Sequence, residues 1–268
     1  MRYSWSVTML ALLWSSAAIA QEPAPQIRQF DIPTLEKLGQ DMYAQDQAAW
    51  HATDALFALH PQAELMAEKV QGWIVEDRPD GALVRFIRKT DSGPEAGYDV
   101  SMAGVKPTVS VPQDRTLSDS EKAQYAARSL ALQSITQRCG DNYNTIVLKD
   151  PSGPGWLAWA LAATTNPGLV MAGGHHRLTV SADGNQTLQM DALSRSCAVL
   201  QKSGEPAGRQ VAALMATQLV SNVPVETFVF LSLEHHMPFF VLTPDRVLWK
   251  IANGRIENMG AVPLNKAP

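Results

Sequence analysis

Two histidine doublets are the residues whose types and spacing could do chemistry. His175 and His176 open the segment GGHHRLTVSADG, and His235 and His236 lie in LSLEHHMPFF about sixty residues later. Alternation along a strand would place His176 on the face of Leu178 and His175 on the opposite face, so only one member of that doublet can point into a core. We expect the second doublet to lie near the tip of a hairpin.

The chemistry that such histidines offer is metal binding. A zinc or copper site needs three or four N, O or S donors that converge at about 2.0–2.3 Å. The best set in this chain is His176 and His235 with Glu234 or Glu226 as the carboxylate. It has neither the i, i+4 spacing of HExxH nor a CxxC partner, so the pattern is only weakly specific for a metal. A structural role is the simpler interpretation of all four histidines.

Other catalytic patterns are weaker still. The chain has no GxSxG, and Ser152 lies in DPSGPG, where prolines and glycines already explain a turn. Gly173 and Gly174 lack the lysine and the strand-to-helix setting of a phosphate loop. The sequence therefore assigns no catalytic residue, apart from Glu234 as the base of a metal-assisted hydrolase.

The N-terminus has the pattern of an export signal. Residues 1–20 contain one early positive charge at Arg2, an apolar middle, and Ala18-Ile19-Ala20 before Gln21. We expect cleavage near Ala20–Gln21 and no stable membrane insertion afterwards, followed by an extended arm at 21–32 and one folded domain at 33–268. The expected compartment is the periplasm of a Gram-negative-type bacterium, or the medium.

Cysteine and charge content narrow the class further. The chain has two cysteines, Cys139 and Cys197, and in an oxidising compartment we expect them to form a disulfide. The formal net charge of −4 provides no electrostatic footprint for nucleic acid. With 46% hydrophobic and 18% charged residues, the chain can bury a substantial core.

The sequence predicts two long helices. Apolar residues at alternating spacings of three and four mark a helix over 34–60, although Gly39 could break it. Ser118 and Glu121 form a capping box that begins a second helix over 118–138, with Gly140 as its stop. A third helix over 208–220 rests on composition alone.

The pattern of the rest of the chain predicts mainly antiparallel strands. The turn signal Arg78-Pro79-Asp80-Gly81 predicts a hairpin, and Trp156 to Thr164 predicts a strand whose alanines share one face. Beyond Pro224 we predict a meander that begins with a strand over 227–233. The expected fold class is α+β: a mostly antiparallel, twisted sheet of about 7–10 strands covered by the two main helices.

Two functional hypotheses follow. The first is a non-catalytic binding or interaction module of the bacterial cell envelope, with an envelope protein or peptide as its partner. The second is a periplasmic hydrolase that uses a divalent metal such as zinc at His176 and His235, together with a carboxylate.

Overall fold

The computed structural model describes residues 27–103, 106–136, 138–140, 142–202 and 211–263. The predicted leader and most of the predicted arm lie outside these residues. The described part of the chain contains four helices and fourteen strands, almost all paired antiparallel, so the predicted α+β class is confirmed. The helices are α1 (Ile32–Leu59), α2 (Gln62–Ala67), α3 (Asp119–Gln133) and α4 (Glu226–Glu234). The strands are β1 (Val70–Arg78), β2 (Gly81–Thr90), β3 (Gly93–Ser101), β4 (Thr108–Ser110), β5 (Asn142–Lys149), β6 (Trp156–Ala163), β7 (Leu169–Met171), β8 (His176–Val180), β9 (Thr187–Ala192), β10 (Val199–Gln201), β11 (Leu214–Thr217), β12 (Phe239–Leu242), β13 (Val247–Ala252) and β14 (Arg255–Ala261).

The strands form four sheets, where we expected one. The orders are β1-β2-β3-β4, β5-β6-β8-β9, β7-β10 and β11-β12-β13-β14. Separate sheets can be held in one fold because the helix α1 is long enough to pack against more than one of them. Its 28 residues extend about 42 Å at 1.5 Å per residue, which is enough to serve two separate hydrophobic cores. Its first half packs in the core below the second and fourth sheets, and its second half packs on the β1–β4 sheet.

Helix α1 begins and ends where the sequence indicates. The Asp31 side chain caps its first turn by accepting from the Thr34 N–H, and the helix ends at Leu59 before Pro61. Gly39 does not break it. A Cβ at Gly39 would lie 2.4 Å from the Val229 Cβ, so the glycine lets α4 approach α1 closely.

The central sheet β5-β6-β8-β9 is covered on both faces. The alanine face of β6 packs under α3, with Ala158 and Ala160 fully buried against Ala127, as the alternating pattern predicts. The opposite face, which carries Trp159, packs toward α1 and α4. Helix α3 has the predicted capping box but ends at Gln133, so Cys139 lies beyond the helix and not at its end.

The C-terminal part differs most from the prediction. Residues 227–233 form most of helix α4, not a strand; every residue from Glu226 to Ser232 is buried. A continuous apolar run has no periodicity by which a buried helix and a buried strand can be told apart. The predicted helix over 208–220 is wrong where it is described: Leu214–Thr217 is strand β11, and residues 208–210 lie outside the described part. Because β11 and β12 are parallel, the chain between them must cross over, and α4 is that crossover.

Candidate functional site

A buried ionic cluster lies at the junction of the central sheet and α4. Arg177, on β8, has a side chain only 1% exposed. Its Nη1 donates to both carboxylate oxygens of Glu226 at 3.0 and 2.9 Å, and its Nε and Nη2 donate to Asp191 Oδ2 at 3.2 and 2.8 Å. Trp159 Nε1 donates to Glu226 Oε1 at 2.7 Å. One guanidinium thus neutralises part of the charge of two buried carboxylates.

The described start of the chain joins this cluster. The backbone N–H of Arg28 donates to Asp191 Oδ2 at 3.2 Å, and its carbonyl accepts from Arg177 Nη2 at 2.5 Å. The Arg28 guanidinium donates to both oxygens of Asp150 at 2.6 and 2.9 Å. The Phe30 ring lies 4.8 Å from the Arg28 guanidinium carbon and 4.9 Å from that of Arg177. Residues 27–31 are therefore held against the sheet by charge, hydrogen bonds and ring contacts.

Burial and hydrogen bonding have opposite effects on the pKa of Asp150. Burial alone would raise the pKa of Asp150, but the hydrogen bonds from Arg28 and from the Ser152 N–H outweigh that effect, and its pKa is lowered. The ion pair therefore favours the charged form of Asp150. Sequence reasoning missed this cluster entirely, because its partners are up to 163 residues apart and carry no local motif.

A cleft of about 1160 Å³ opens beside the cluster, and we call it the arm cleft. Its walls come from the described start of the chain (Ile27, Gln29), from strand β9, from residues 219–222 and from the segment that carries Cys197. The described residues that line it are Ile27, Gln29, Cys139, Gly174, His176, Gln189, Met190, Asp191, Ala192, Ser194, Arg195, Ser196, Cys197, Leu219, Val220, Ser221, Asn222 and Pro244. Apolar and polar side chains are mixed along it, so the described lining is more polar than the predominantly apolar walls of most small-molecule sites.

The predicted disulfide forms part of this wall. Cys139 and Cys197 are bonded, with their Cα atoms 5.2 Å apart and a sequence separation of 58. The bond joins the segment after α3 to the segment after β9. The packing is tight: a Cβ at Gly174, whose φ is +83°, would lie 2.3 Å from the Cys139 Cβ.

Two side chains in the arm cleft have polar groups without partners among the described residues. Arg195 is exposed, and none of the ion pairs between described residues involves it. His176 is half-buried, its Nδ1 has no hydrogen-bond partner in the described part of the chain, and burial lowers its pKa. The carboxylate of Asp191, in contrast, is already engaged by Arg177. The ionisable groups of the cleft without partners among the described residues are thus a cation and an imidazole.

The other member of the first doublet is structural. His175 is 2% exposed; its Nδ1 accepts from the Ala162 N–H at 3.1 Å and its Nε2 donates to the Met171 carbonyl at 2.8 Å. Burial lowers its pKa to about 4, despite an opposing effect of the Met171 bond. The doublet divides between two environments, and His175 is the core member.

The proposed metal set does not come together among the described residues. His235 caps the C-terminus of α4 and is not near a hairpin tip; Lys202 Nζ lies 3.4 Å from its Nδ1. Glu226 is bound by Arg177, and Glu234 accepts from Gln47 at 3.1 Å. The described residues include no group of three or more His, Cys, Asp or Glu side chains that could hold a metal ion. The hydrolase hypothesis gains no support from this geometry.

Comparisons with known proteins add no identity to this picture. A scan against protein-family models finds no match, and neither the curated proteins nor the solved structures contain a chain that matches. Among the described residues, every helix is too short or too polar to cross a bilayer.

Proposed function

We propose that the protein is a non-catalytic binding module of the bacterial cell envelope that holds a peptide segment in the arm cleft. The arm cleft is the observation that carries the proposal. Its volume of about 1160 Å³ exceeds the range of about 300–1,000 Å³ in which most small-molecule sites fall, so a short peptide segment fits. Exposed Met190 and Leu219 offer apolar contact, and Arg195 offers a charge.

The rigidity of the cleft supports the same proposal. Its wall is fixed by the Cys139–Cys197 disulfide and by the arm that Arg28 anchors to Asp150. A site that is formed before binding loses less conformational entropy when the ligand arrives, which favours affinity. The cleft is therefore a preformed binding site.

Export is the second part of the proposal. The leader-like residues 1–20 and the disulfide both favour an oxidising compartment outside the cytoplasm. N-terminal sequencing and mass spectrometry of protein from osmotic-shock fractions should find Gln21 as the first residue and no free thiol. An intact Met1, or two free thiols, would contradict export.

The binding proposal is tested by panning a phage library of random twelve-residue peptides on the purified mature protein. Ala192→Trp is the test variant, because Ala192 is an exposed residue of β9 that lines the cleft, and the indole would fill it. Ala261→Trp is the matched control, since Ala261 is an exposed alanine at the end of strand β14 in another sheet.

We expect peptides to be enriched on the wild type and on Ala261→Trp but not on Ala192→Trp. Titration of a synthetic copy by fluorescence anisotropy should show at least a tenfold weaker Kd for the Ala192 variant. Equal binding to both variants, or no enrichment on any of the three proteins, would refute the proposal.

A further inference from the structure

Strand β9 ends the central sheet at the edge that faces the arm cleft. The sheet order is β5-β6-β8-β9, and four of the six residues of β9, Gln189 to Ala192, line the cleft. Within the described chain, β9 pairs with β8 alone. A free strand edge presents a row of backbone donors and acceptors that can pair with another chain.

The pairing register shows which backbone groups point outward. Leu193 N–H donates to the His175 carbonyl, and the register pairs Arg177 with Asp191. Hydrogen-bonded and non-hydrogen-bonded pairs alternate along an antiparallel ladder. The N–H and C=O of Asp191 therefore point to β8, whereas those of Met190 and Ala192 point away from it, toward an incoming strand. The pairing shifts at Leu188, which is the extra residue of a bulge.

Side chains on this edge alternate in character as well. Met190, which is 47% exposed, and Ala192, which is also exposed, project on one face, and Leu188, which is 63% exposed, lies at the bulge beside them. Gln189 and Asp191 project on the other face, where Gln189 Nε2 donates to Asp191 Oδ1 at 2.7 Å. An added strand would meet an apolar strip on one face and fixed polar groups on the other.

Charge indicates the chemistry of the added strand. Arg195 lies three residues beyond the end of β9, also lines the cleft, and has no ion-pair partner among the described residues. Asp191, the one carboxylate of the cleft lining, is engaged by Arg177. The cleft thus offers an unpaired cation next to the free strand edge, which complements an acidic residue or a C-terminal carboxylate.

A second free edge in the same protein lacks these features. Strand β14 ends the fourth sheet and is also exposed, but it carries the charged residues Arg255 and Glu257. Its pairing with β13 is shifted between Leu248 and Trp249, and Gly260 has a φ of +91°, whereas the shift in β9 lies at Leu188, before the residues Gln189 to Ala192 that line the cleft. Charges and bulges of this kind normally protect an edge from pairing.

We propose that an extended peptide segment of a partner protein adds to β9 as a fifth strand of the central sheet. Apolar residues at alternate positions of the segment pack on Met190 and Ala192, and an acidic group pairs with Arg195. The inference rests on the proposed binding function and specifies its ligand. Backbone hydrogen bonds supply affinity in such strand addition, and alternate side chains supply specificity.

The test separates backbone pairing from side-chain binding. The probe is the synthetic peptide most enriched by panning, prepared as a series in which each backbone N–H in turn is methylated. In an added strand only every second N–H points to β9, so methylation should weaken binding at least tenfold at alternate positions and leave the others within about twofold. An independent readout is amide exchange, which should slow at Met190 when peptide is bound.

The protein offers a matched pair of variants at the same position. Met190→Pro removes an outward N–H that the sheet does not use, and proline is tolerated on edge strands. Met190→Thr shortens the same side chain but keeps the N–H. We expect Met190→Pro to lose binding at least tenfold and Met190→Thr no more than about threefold, with circular dichroism confirming that both fold. Arg195→Glu should weaken binding of an acidic probe, and Arg195→Lys should largely retain it.

Each outcome bears on one of the two proposals. Binding that Ala192→Trp abolishes, but that Met190→Pro and every methylated peptide retain, would overturn strand addition and leave the binding function standing. Absence of any enriched peptide would overturn both. If light scattering shows a dimer that Met190→Pro dissociates, the edge belongs to a second copy of this chain, and the proposal of a peptide partner is wrong.

Discussion

At the scale of single residues, one arginine side chain pairs with two buried carboxylates. Arg177 alone bridges Glu226 and Asp191 in the interior, and Arg28 covers Asp150 at its border. Transfer of a charge from water into a protein interior is costly unless the charge is paired and hydrogen-bonded. Removal of the common partner should therefore matter far more than removal of a surface ion pair.

Arg177→Met tests this arrangement. The substitution leaves two buried carboxylates without their guanidinium, and loss of one partner of a buried pair costs about 3–5 kcal/mol. Urea denaturation followed by fluorescence should show a loss of that size. The control is Arg78→Met, which breaks the exposed pair with Glu76 at 3.0 Å and should cost less than about 1 kcal/mol. Equal losses for the two variants would mean that the buried cluster is not a stabilising unit.

Asp46 offers a test with a defined pH dependence. Burial, and then the nearby charge of Glu234, raise its pKa to about 6 from the ordinary 3.8. The folded state thus binds a proton more tightly than the unfolded state, so this group adds stability below about pH 4 and that contribution is lost as the pH rises through 6. At neutral pH the partly buried carboxylate is a net cost, of at most about 3 kcal/mol at about 1.4 kcal/mol per pKa unit.

Asp46→Asn should consequently stabilise the protein at pH 7.5. The gain in unfolding free energy should be about 1–3 kcal/mol there and should shrink toward zero at pH 4, where the wild-type carboxyl is itself neutral. Urea denaturation across that range measures it. A gain that is the same at both pH values would show that the environment of Asp46 does not raise its pKa.

At the scale of elements, sequence reasoning succeeded where the signals are local. The capping box at Ser118, the proline and glycine turn at residues 78–81, and the alanine face of β6 each specify structure within a few residues. Helix α4 was missed because its run of valine, phenylalanine and leucine is buried on all sides. Nothing in such a run distinguishes a strand from a helix until its neighbours are known.

Some residues of the candidate site could likewise be predicted from the sequence, and others could not. The cysteine pairing followed from composition and compartment, and His176, singled out as a metal ligand, does line the cleft. Arg28, Asp191 and Arg177 were invisible as a group, since only tertiary packing brings residues so distant in sequence together. The position of a free edge at β9 likewise depends on sheet order, which alternation along one strand does not encode.

Gly39→Ala tests the contact between α1 and α4. Helix propensity alone favours alanine over glycine by about 1 kcal/mol within a helix. Here the added methyl would lie 2.4 Å from the Val229 Cβ and 2.8 Å from the Glu226 carbonyl oxygen, so the two helices must separate. We expect a net loss of about 1–3 kcal/mol in unfolding free energy, the usual cost of overpacking.

The control for Gly39→Ala is Ala44→Gly, at an exposed position of the same helix. It should cost about 1 kcal/mol from propensity alone. Both values come from urea denaturation under the same conditions. A stabilised Gly39→Ala protein would mean that α1 and α4 are not in the close contact described.

At the scale of the whole molecule, two long-range connections hold separately packed regions together. Helix α1 contributes to two hydrophobic cores, and the disulfide joins two segments of the cleft wall that are distant in sequence. The first connection is made by packing and the second by a covalent bond. Only the second lies in the arm cleft, so its removal should affect that region before the rest of the fold.

The double variant Cys139→Ser/Cys197→Ser tests this difference. A bond that closes a loop of 58 residues should stabilise by about 4 kcal/mol in the loop-entropy picture, so the melting temperature should fall. Hydrogen exchange should accelerate in residues 192–198 and along β9, where the wall loses its tie. The sheet β1-β2-β3-β4 is the internal control, because it packs in a different core and its protection should change only as far as global unfolding requires. Acceleration spread equally over both regions would show that the bond stabilises the molecule as a whole and does not specifically fix the cleft, and binding of the panned peptide would then fall only in proportion to the unfolded fraction.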